Sequence, residues 1–213
     1  MPSENRLSET SEVKRIARKA EWEKLKKRSA MRFGEDSIFG EGSLNSRLAI
    51  VGEAPGKQEV EEGRPFVGNA GKLLDKLLEE AGIDRSKAYV TNIVKVRPTK
   101  ESGRRTTNRP PRAGEIREGI EVLREELGLV RPHALILLGT TPAKALIKKS
   151  FTLKSERGMP FDSELGVLAL ATYHPAYLLR LRGASSEDYD QMRAQVVGDL
   201  GAAWEHAQGS HDG

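Results

Sequence analysis

Four side chains in this chain have types and settings that could do chemistry: Glu53, Phe66, Asn92 and His174. Glu53 lies in Gly52-Glu53-Ala54-Pro55-Gly56, directly after the apolar run Leu48-Ala49-Ile50-Val51. Such a run makes a buried strand. Pro55 cannot donate to a ladder and the glycines free the backbone, so the strand ends there in a sharp turn. Turns at the carboxyl ends of parallel strands are where open α/β sheets bind ligands, which puts Glu53 at the lip of a crevice. Phe66, in Gly63-Arg64-Pro65-Phe66-Val67-Gly68, offers a flat apolar face from a loop held by Pro and Gly. Asn92 ends a second strand-like stretch, where a buried carboxamide demands partners and presents one donor and one acceptor edge. His174 precedes Pro175, whose ring stiffens the turn, and a neutral imidazole donates one hydrogen bond without adding charge. A carboxylate, a flat face, an amide edge and a neutral donor could together line a ligand crevice at that end of the sheet. Each also has a plainer reading: a solvated Glu in an ordinary loop, a core Phe, an Asn tying down its neighbours and a surface His at a strand end.

Strands alternating with helices must position them. Residues 1–12 are polar and are expected to lack structure. Residues 13–31 have helical periodicity, with Val13, Ile16, Ala17 and Ala20 on one face and many Lys and Arg around it. That helix could contact phosphates, or, with Glu12, Glu21 and Glu23 diluting the charge, be a solvated face. Residues 37–47 read as loop and 69–82 as a helix with the stripe Leu73, Leu74, Leu77 and Leu78, closed by Gly82. Residues 88–95 are a strand, 97–111 a basic Pro-bounded loop expected to be mobile over 99–108, 115–127 a helix and 134–138 a strand. Thr141 followed by Pro142 has the form of an N-cap with Pro at the first helical position. A weak strand at 159–161, a strand at 167–171, a short helix after His174 and a helix opened by Ser186 and reaching about 207 complete the chain. The alternation implies an α/β fold: a central, mainly parallel sheet with helices on both faces.

Composition narrows the classes. At 213 residues there is room for one substantial core plus tails. The sequence holds no cysteine, so neither disulfides nor thiolate metal sites can form. No apolar run approaches a membrane span, and no secretory h-region is evident. The formal charge of +4, from 35 basic and 31 acidic residues, is compatible with nucleic acid without being diagnostic.

The pair GEAPG (52–56) and HPAYLLR (174–180), with Gly-Arg-Pro-Phe-Val-Gly and Thr91-Asn92-Ile93-Val94-Lys95 between them in order and spacing, resembles the motif set of the family 4 uracil-DNA glycosylases. The likeness runs from about Phe39 to about Leu200. It implies a three-layer α/β/α sandwich over residues 36–208, preceded by a basic, partly helical extension (1–35) and followed by a disordered tail (209–213). It implies excision of uracil from DNA, with the nucleotide flipped into a pocket. By resemblance, His174 is the donor to uracil O2, and Glu53 positions water or stabilises the sugar cation. Asn92 then reads N3–H and O4, an edge that cytosine presents reversed. Phe66 stacks on the base, Ala54 and Gly56 line it, and Glu59 lies near C5, where it would exclude a methyl. Ala176, Tyr177, Leu178 and Arg180 press into the duplex, and the basic stretch with Arg104, Arg105, Asn108 and Arg109 contacts DNA. The expected partners are uracil-containing DNA and free uracil as product, with no membrane, no metal and no cofactor. A cytoplasmic monomer associated with the nucleoid is expected.

Two departures from the family stand out. Its iron–sulfur cluster needs four cysteines, and this chain has Val96 and Gly119 at two of those places and residues within 25–28 at the others. The cluster is a staple in that family and not the site of excision. Secondly, residues 99–107 are an insert before Asn108-Arg109-Pro110-Pro111; a related group captures uracil covalently through a His in a similar insert, and this insert has none. Two other readings stay open on sequence: a glycosylase-like protein that binds or traps uracil-DNA without turnover, and a nucleotide-binding α/β protein in which Asn69-Ala70-Gly71 cradles a phosphate.

Overall fold

Leu48, Ala49, Ile50 and Val51 are each fully buried, as a strand must be when helices cover both faces of its sheet. They form β1 in a computed structural model that describes residues 3–103, 105–182 and 185–209. In chain order the elements are α1 (Ser3–Phe33), β1 (Leu48–Gly52), α2 (Lys57–Glu62), α3 (Asn69–Glu80), β2 (Ala88–Asn92), β3 (Thr99–Ser102), β4 (Arg105–Asn108) and α4 (Ala113–Val130). They continue as β5 (Ala134–Leu138), α5 (Thr140–Leu146), α6 (Leu153–Glu156), β6 (Phe161–Asp162), β7 (Leu168–Thr172), α7 (Pro175–Arg182) and α8 (Ser186–Gln208). The main sheet has the order β2-β1-β5-β7-β6, parallel throughout except for the edge strand β6.

Side-chain alternation divides the core in two. Leu48 and Ile50 point into a layer with Leu74, Leu77, Leu178 and Leu200 of α3, α7 and α8. Ala49 and Val51 point the other way, onto Leu123 and Leu127 of α4 and Leu146 of α5. This is the expected α/β/α sandwich. The chain leaves β1 for β2 on one side and later returns to β5 on the other, so β1 lies at the switch point where such sheets open a crevice. The carboxyl ends of β1, β2, β5 and β7 share that end of the sheet. Among the described residues no helix is long and apolar enough to cross a membrane.

Several expectations need correction. α1 begins at Ser3, so the polar start of the chain is helical and not structureless from 3 onward. Its second half docks through Leu25, buried with Phe39 and Val122, while Arg28 and Arg32 pair with Glu125 and Glu121 of α4. Those two cations are therefore engaged by acids and not held ready for phosphates. β2 stops at Asn92, earlier than expected, and residues 99–108 form an antiparallel hairpin instead of a mobile loop. Thr106 and Thr107 favour a pleated strand, and Gly103, at φ 60°, supplies the turn. The cap of α5 is Gly139 and not Thr141, and Ser185, one residue ahead of the expected Ser186, caps α8 by accepting from Asp188 N–H. Gly209 is the last described residue, so the expected tail beyond it lies outside the described residues, as does Arg104.

Candidate active site

Asn92 closes β2 opposite Gly52 of β1. Its side chain is 3 % exposed, and Oδ1 has no hydrogen-bond partner among the described residues. A buried acceptor left open is costly unless a ligand or an ordered water fills it. It borders a cavity of about 170 Å³ that Phe66, Glu59, Ala54, Gly56 and His174 also line. That is well below the roughly 300–1,000 Å³ of drug-sized pockets, and suits one small heterocycle. Gly52 makes the convergence possible, because a Cβ there would lie 2.3 Å from Asn92 Oδ1 and 2.5 Å from Phe66 Cζ. Sequence reading took Gly52 for a turn residue only.

Phe66 is both a core residue and a wall of the cavity: it is 6 % exposed and its ring stacks on His174 with centroids 5.9 Å apart at 28°. Its φ of 55° is unusual for a bulky side chain. The surroundings enforce it. A Cβ on Gly71 would come within 1.9 Å of Phe66 O, so the first turn of α3 sits directly on that peptide. Glu59 supplies the second constraint: its Oε1 accepts from Val67 N–H (3.1 Å) and Gly68 N–H (2.8 Å), and Oε2 from Gly56 N–H (3.0 Å). Both oxygens are committed to backbone, so Glu59 ties the GEAPG turn to the Phe66 loop. Its carboxylate is a brace within the wall of the cavity and not a free acceptor.

His174 follows β7, whose last residue Thr172 donates to Asp199 Oδ2 (2.5 Å); Arg157 holds the other oxygen at 2.7 Å. Nδ1 of His174 accepts from Ala176 N–H at 3.0 Å. That bond assigns the proton to Nε2 and leaves Nε2 as a donor. Burial lowers the imidazole pKa to about 4; the Arg180 charge lowers it too, against an opposing contribution from Glu59. His174 is thus neutral at physiological pH.

The cavity opens into a groove of about 630 Å³, and Ala54, Asn108, His174 and Ala176 border both. Glu53 stands in the groove, half-buried. Asn108, the last residue of the hairpin, lines both spaces while its Oδ1 accepts from Arg97 Nε at 2.7 Å. Tyr177 (39 % exposed) and Arg180 form the outer rim, with the guanidinium 5.5 Å from the Tyr177 ring centroid and Tyr173 stacked behind. Arg105 is exposed on β4.

Two expected DNA contacts are elsewhere. Leu178 is fully buried, because α7 turns it inward onto the core as it turns Tyr177 outward; it cannot press into a duplex. Arg109 donates to both oxygens of Glu115 (2.5 and 2.8 Å) and to the carbonyls of Thr99 and Pro110, so its fork anchors the hairpin to α4. Its hydrogen bond holds the Glu115 carboxyl down to about 2.

An iron–sulfur cluster does not fit. There is no thiolate, and a Cβ on Gly119 would lie 2.3 Å from Ile93 O, so α4 is seated on the backbone where the resemblance places a ligand.

Comparison with known proteins gives the family. The family described as the uracil DNA glycosylase superfamily matches residues 39–200. The chain is 36 % identical to a type-4 uracil-DNA glycosylase of Thermotoga maritima, over 76 % of this chain and 79 % of that protein. It is 35 % identical to one of Pyrobaculum aerophilum, over 74 % and 82 %, and 33 % identical to one of Sulfurisphaera tokodaii, over 81 % and 80 %.

Proposed function

The chain belongs to the uracil-DNA glycosylase superfamily, and on that premise we propose how its residues divide the work of excising uracil from DNA. The enzyme is a DNA-repair hydrolase: it cleaves the bond between deoxyribose C1′ and uracil N1 and leaves an abasic site. The flipped uracil enters the 170 Å³ cavity. Phe66 stacks on its face, with Ala54 and Gly56 beside it. Asn92 Oδ1 accepts from N3–H, and its amide donates to O4. Cytosine has an acceptor at N3 and a donor at C4, so both contacts would be repulsive in a site that excludes water.

As the C1′–N1 bond breaks, its electron pair moves into the ring and charge grows at O2. His174 Nε2–H meets that charge already oriented, with no proton to gain first. Glu53, in the wider groove where the sugar lies, faces the cationic C1′ and the incoming water. Water oxygen then bonds to C1′ and releases a proton, and the uracil anion leaves to be protonated. Tyr177, Arg180, Arg105 and Asn108 form the DNA-facing rim. A monomer working on nucleoid DNA in the cytoplasm is consistent with one complete cavity in one chain.

The single observation that carries this reading is the unpaired, buried Asn92 Oδ1 beside a His174 whose Nδ1 is already engaged. The test is a uracil-containing oligonucleotide incubated in chelator and then treated with alkali. Strand cleavage at the uracil position is expected, with no protein–DNA band on a denaturing gel, because the Asn108 amide at the hairpin base is a poor nucleophile toward a sugar cation. A heat-stable shifted band, or intact strands, would overturn the hydrolytic reading.

A further inference from the structure

Lys95 and Glu126 are both wholly buried, on the side of the sheet away from the base cavity. Isolated charges there are heavily penalised, and an apolar pair would often serve stability as well. Glu126 occupies a core position of α4, in the series Val122, Leu123, Glu126, Leu127 and Val130. The excision mechanism above uses neither residue.

Their contacts account for every proton. Lys95 Nζ donates to Glu126 Oε2 (2.6 Å), Thr91 Oγ1 (2.8 Å) and the main-chain carbonyl of Asn92 (2.8 Å). Glu126 Oε1 accepts from Gly40 N–H (2.7 Å) and the Tyr89 hydroxyl (2.8 Å), and Tyr89 in turn accepts from Trp22 Nε1 (2.9 Å). The third contact of Lys95 has a consequence for the cavity. β2 is the edge strand of the sheet, and its outer side is bridged only at Val90, by Glu41, among the described residues, so the outward carbonyl of Asn92 has no strand to receive it. On the inner side, the N–H of the same peptide, at Ile93, donates to Gly52 O at 2.9 Å. Lys95 on one side and Gly52 on the other therefore fix the plane of the 92–93 peptide. α4 presses on the next one, through the contact of Gly119 with Ile93 O. With the preceding peptide held in the β1–β2 ladder, a fixed 92–93 plane sets ψ of Asn92 and with it the direction of its Cα–Cβ bond, and the carboxamide lies beside Phe66 at the cavity.

We propose that Lys95, held by Glu126, is a positioning residue for Asn92: the buried pair aims the carboxamide at the base, so that discrimination of uracil depends on charges that touch neither base nor DNA. This rests on Asn92 being the base reader. It also explains how a chain without the family's cluster keeps that end of the strand rigid: α4 is fastened to β2 by an ion pair and direct backbone contact. Sites of this kind need their groups held within about 0.5 Å, and an ångström of misplacement can cost about a hundredfold in rate.

The experiment uses Lys95→Met with Glu126→Leu, which removes both charges together and keeps the volume apolar. Single-turnover excision, inhibition by free uracil and thermal unfolding are read side by side. Excision is expected to fall about tenfold to a hundredfold and uracil inhibition to weaken in parallel, with affinity for abasic DNA unchanged. Tyr89→Phe is the structural control: it loosens Glu126 but leaves the Lys95–Asn92 contact, and should lower the melting temperature without altering the rate. In an Asn92→Ala background the double substitution should cost nothing further. Wild-type rates in the folded double variant, with Asn92→Ala impaired, would overturn the positioning role. Wild-type rates in Asn92→Ala itself would overturn the base-reader assignment instead. If the double variant does not fold, Glu126→Gln, which removes the charge but keeps the shape, decides by the same readouts: a reduced rate and weaker uracil inhibition support the role, unchanged ones overturn it.

Discussion

The base cavity and the rim above it are built by opposite rules. In and behind the cavity the polar atoms are largely spent within the protein: Glu59 on three backbone N–H groups, His174 Nδ1 on Ala176, and, behind the wall, the Asn92 main-chain carbonyl on Lys95. Among the described residues, Asn92 Oδ1 and His174 Nε2 remain without a partner, and a uracil edge would use both. On the rim, Tyr177 faces solvent with Arg180 over its ring, and Arg105 is exposed on the hairpin. Groups that must meet developing charge gain from being fixed beforehand, whereas groups that meet a flexible, hydrated backbone gain little from rigidity. The cavity should therefore govern rate and base choice, and the rim affinity and its salt dependence.

The sharpest break between them is His174→Ala. Loss of one preorganised donor should lower single-turnover excision about a hundred- to thousandfold, with DNA affinity measured by anisotropy unchanged. Asn92→Ala should do the same, and Asn92→Asp should admit cytosine measurably, since a protonated carboxyl can present the reversed edge. Gly52→Ala comes next, because its Cβ would overlap Asn92 Oδ1 and Phe66 Cζ. A drop of about a hundredfold is expected in a folded protein with a lower melting temperature. Wild-type activity there would show the cavity to be softer than its packing.

Acid titration separates the regions differently. His174 titrates near 4 in the fold but near its ordinary value of 6.5 when unfolded. The excision rate should thus show no inflection at 6.5 and should fall only as pH drops through about 4. Between 6.5 and 4 the unfolded chain takes up a proton that the folded one does not, so stability should decline as pH falls across that window and the difference level off below it. Urea titrations at several pH values test the sign. The smallest effect belongs to the rim: Arg105→Ala with Arg180→Ala should weaken DNA binding and flatten its salt slope by about one per lost phosphate contact. The rate at saturating enzyme should remain unchanged. A rate that fell as far as the affinity would join rim and cavity into one unit.

The sequence by itself determined the parallel strands of the main sheet, though not the 99–108 hairpin, and the residues at their ends. The apolar run at 134–138 is β5 to the residue, and Glu53, Asn92 and His174 all stand at carboxyl ends of parallel strands, as the turn chemistry implied. Periodicity is local, and burial writes it directly into the order of residues. Tertiary structure alone decided how polar groups pair. Arg109 looked like a phosphate contact until Glu115 took its fork, and Leu178 looked like a wedge until α7 turned it inward. Lys95 after an apolar run and Glu126 inside an apolar stripe are each anomalous in sequence. That each is the other's answer, 31 residues apart, follows only when α4 is laid against β2. A charge reveals by its neighbours that it is buried, but its partner is chosen by the packing of helices on the sheet.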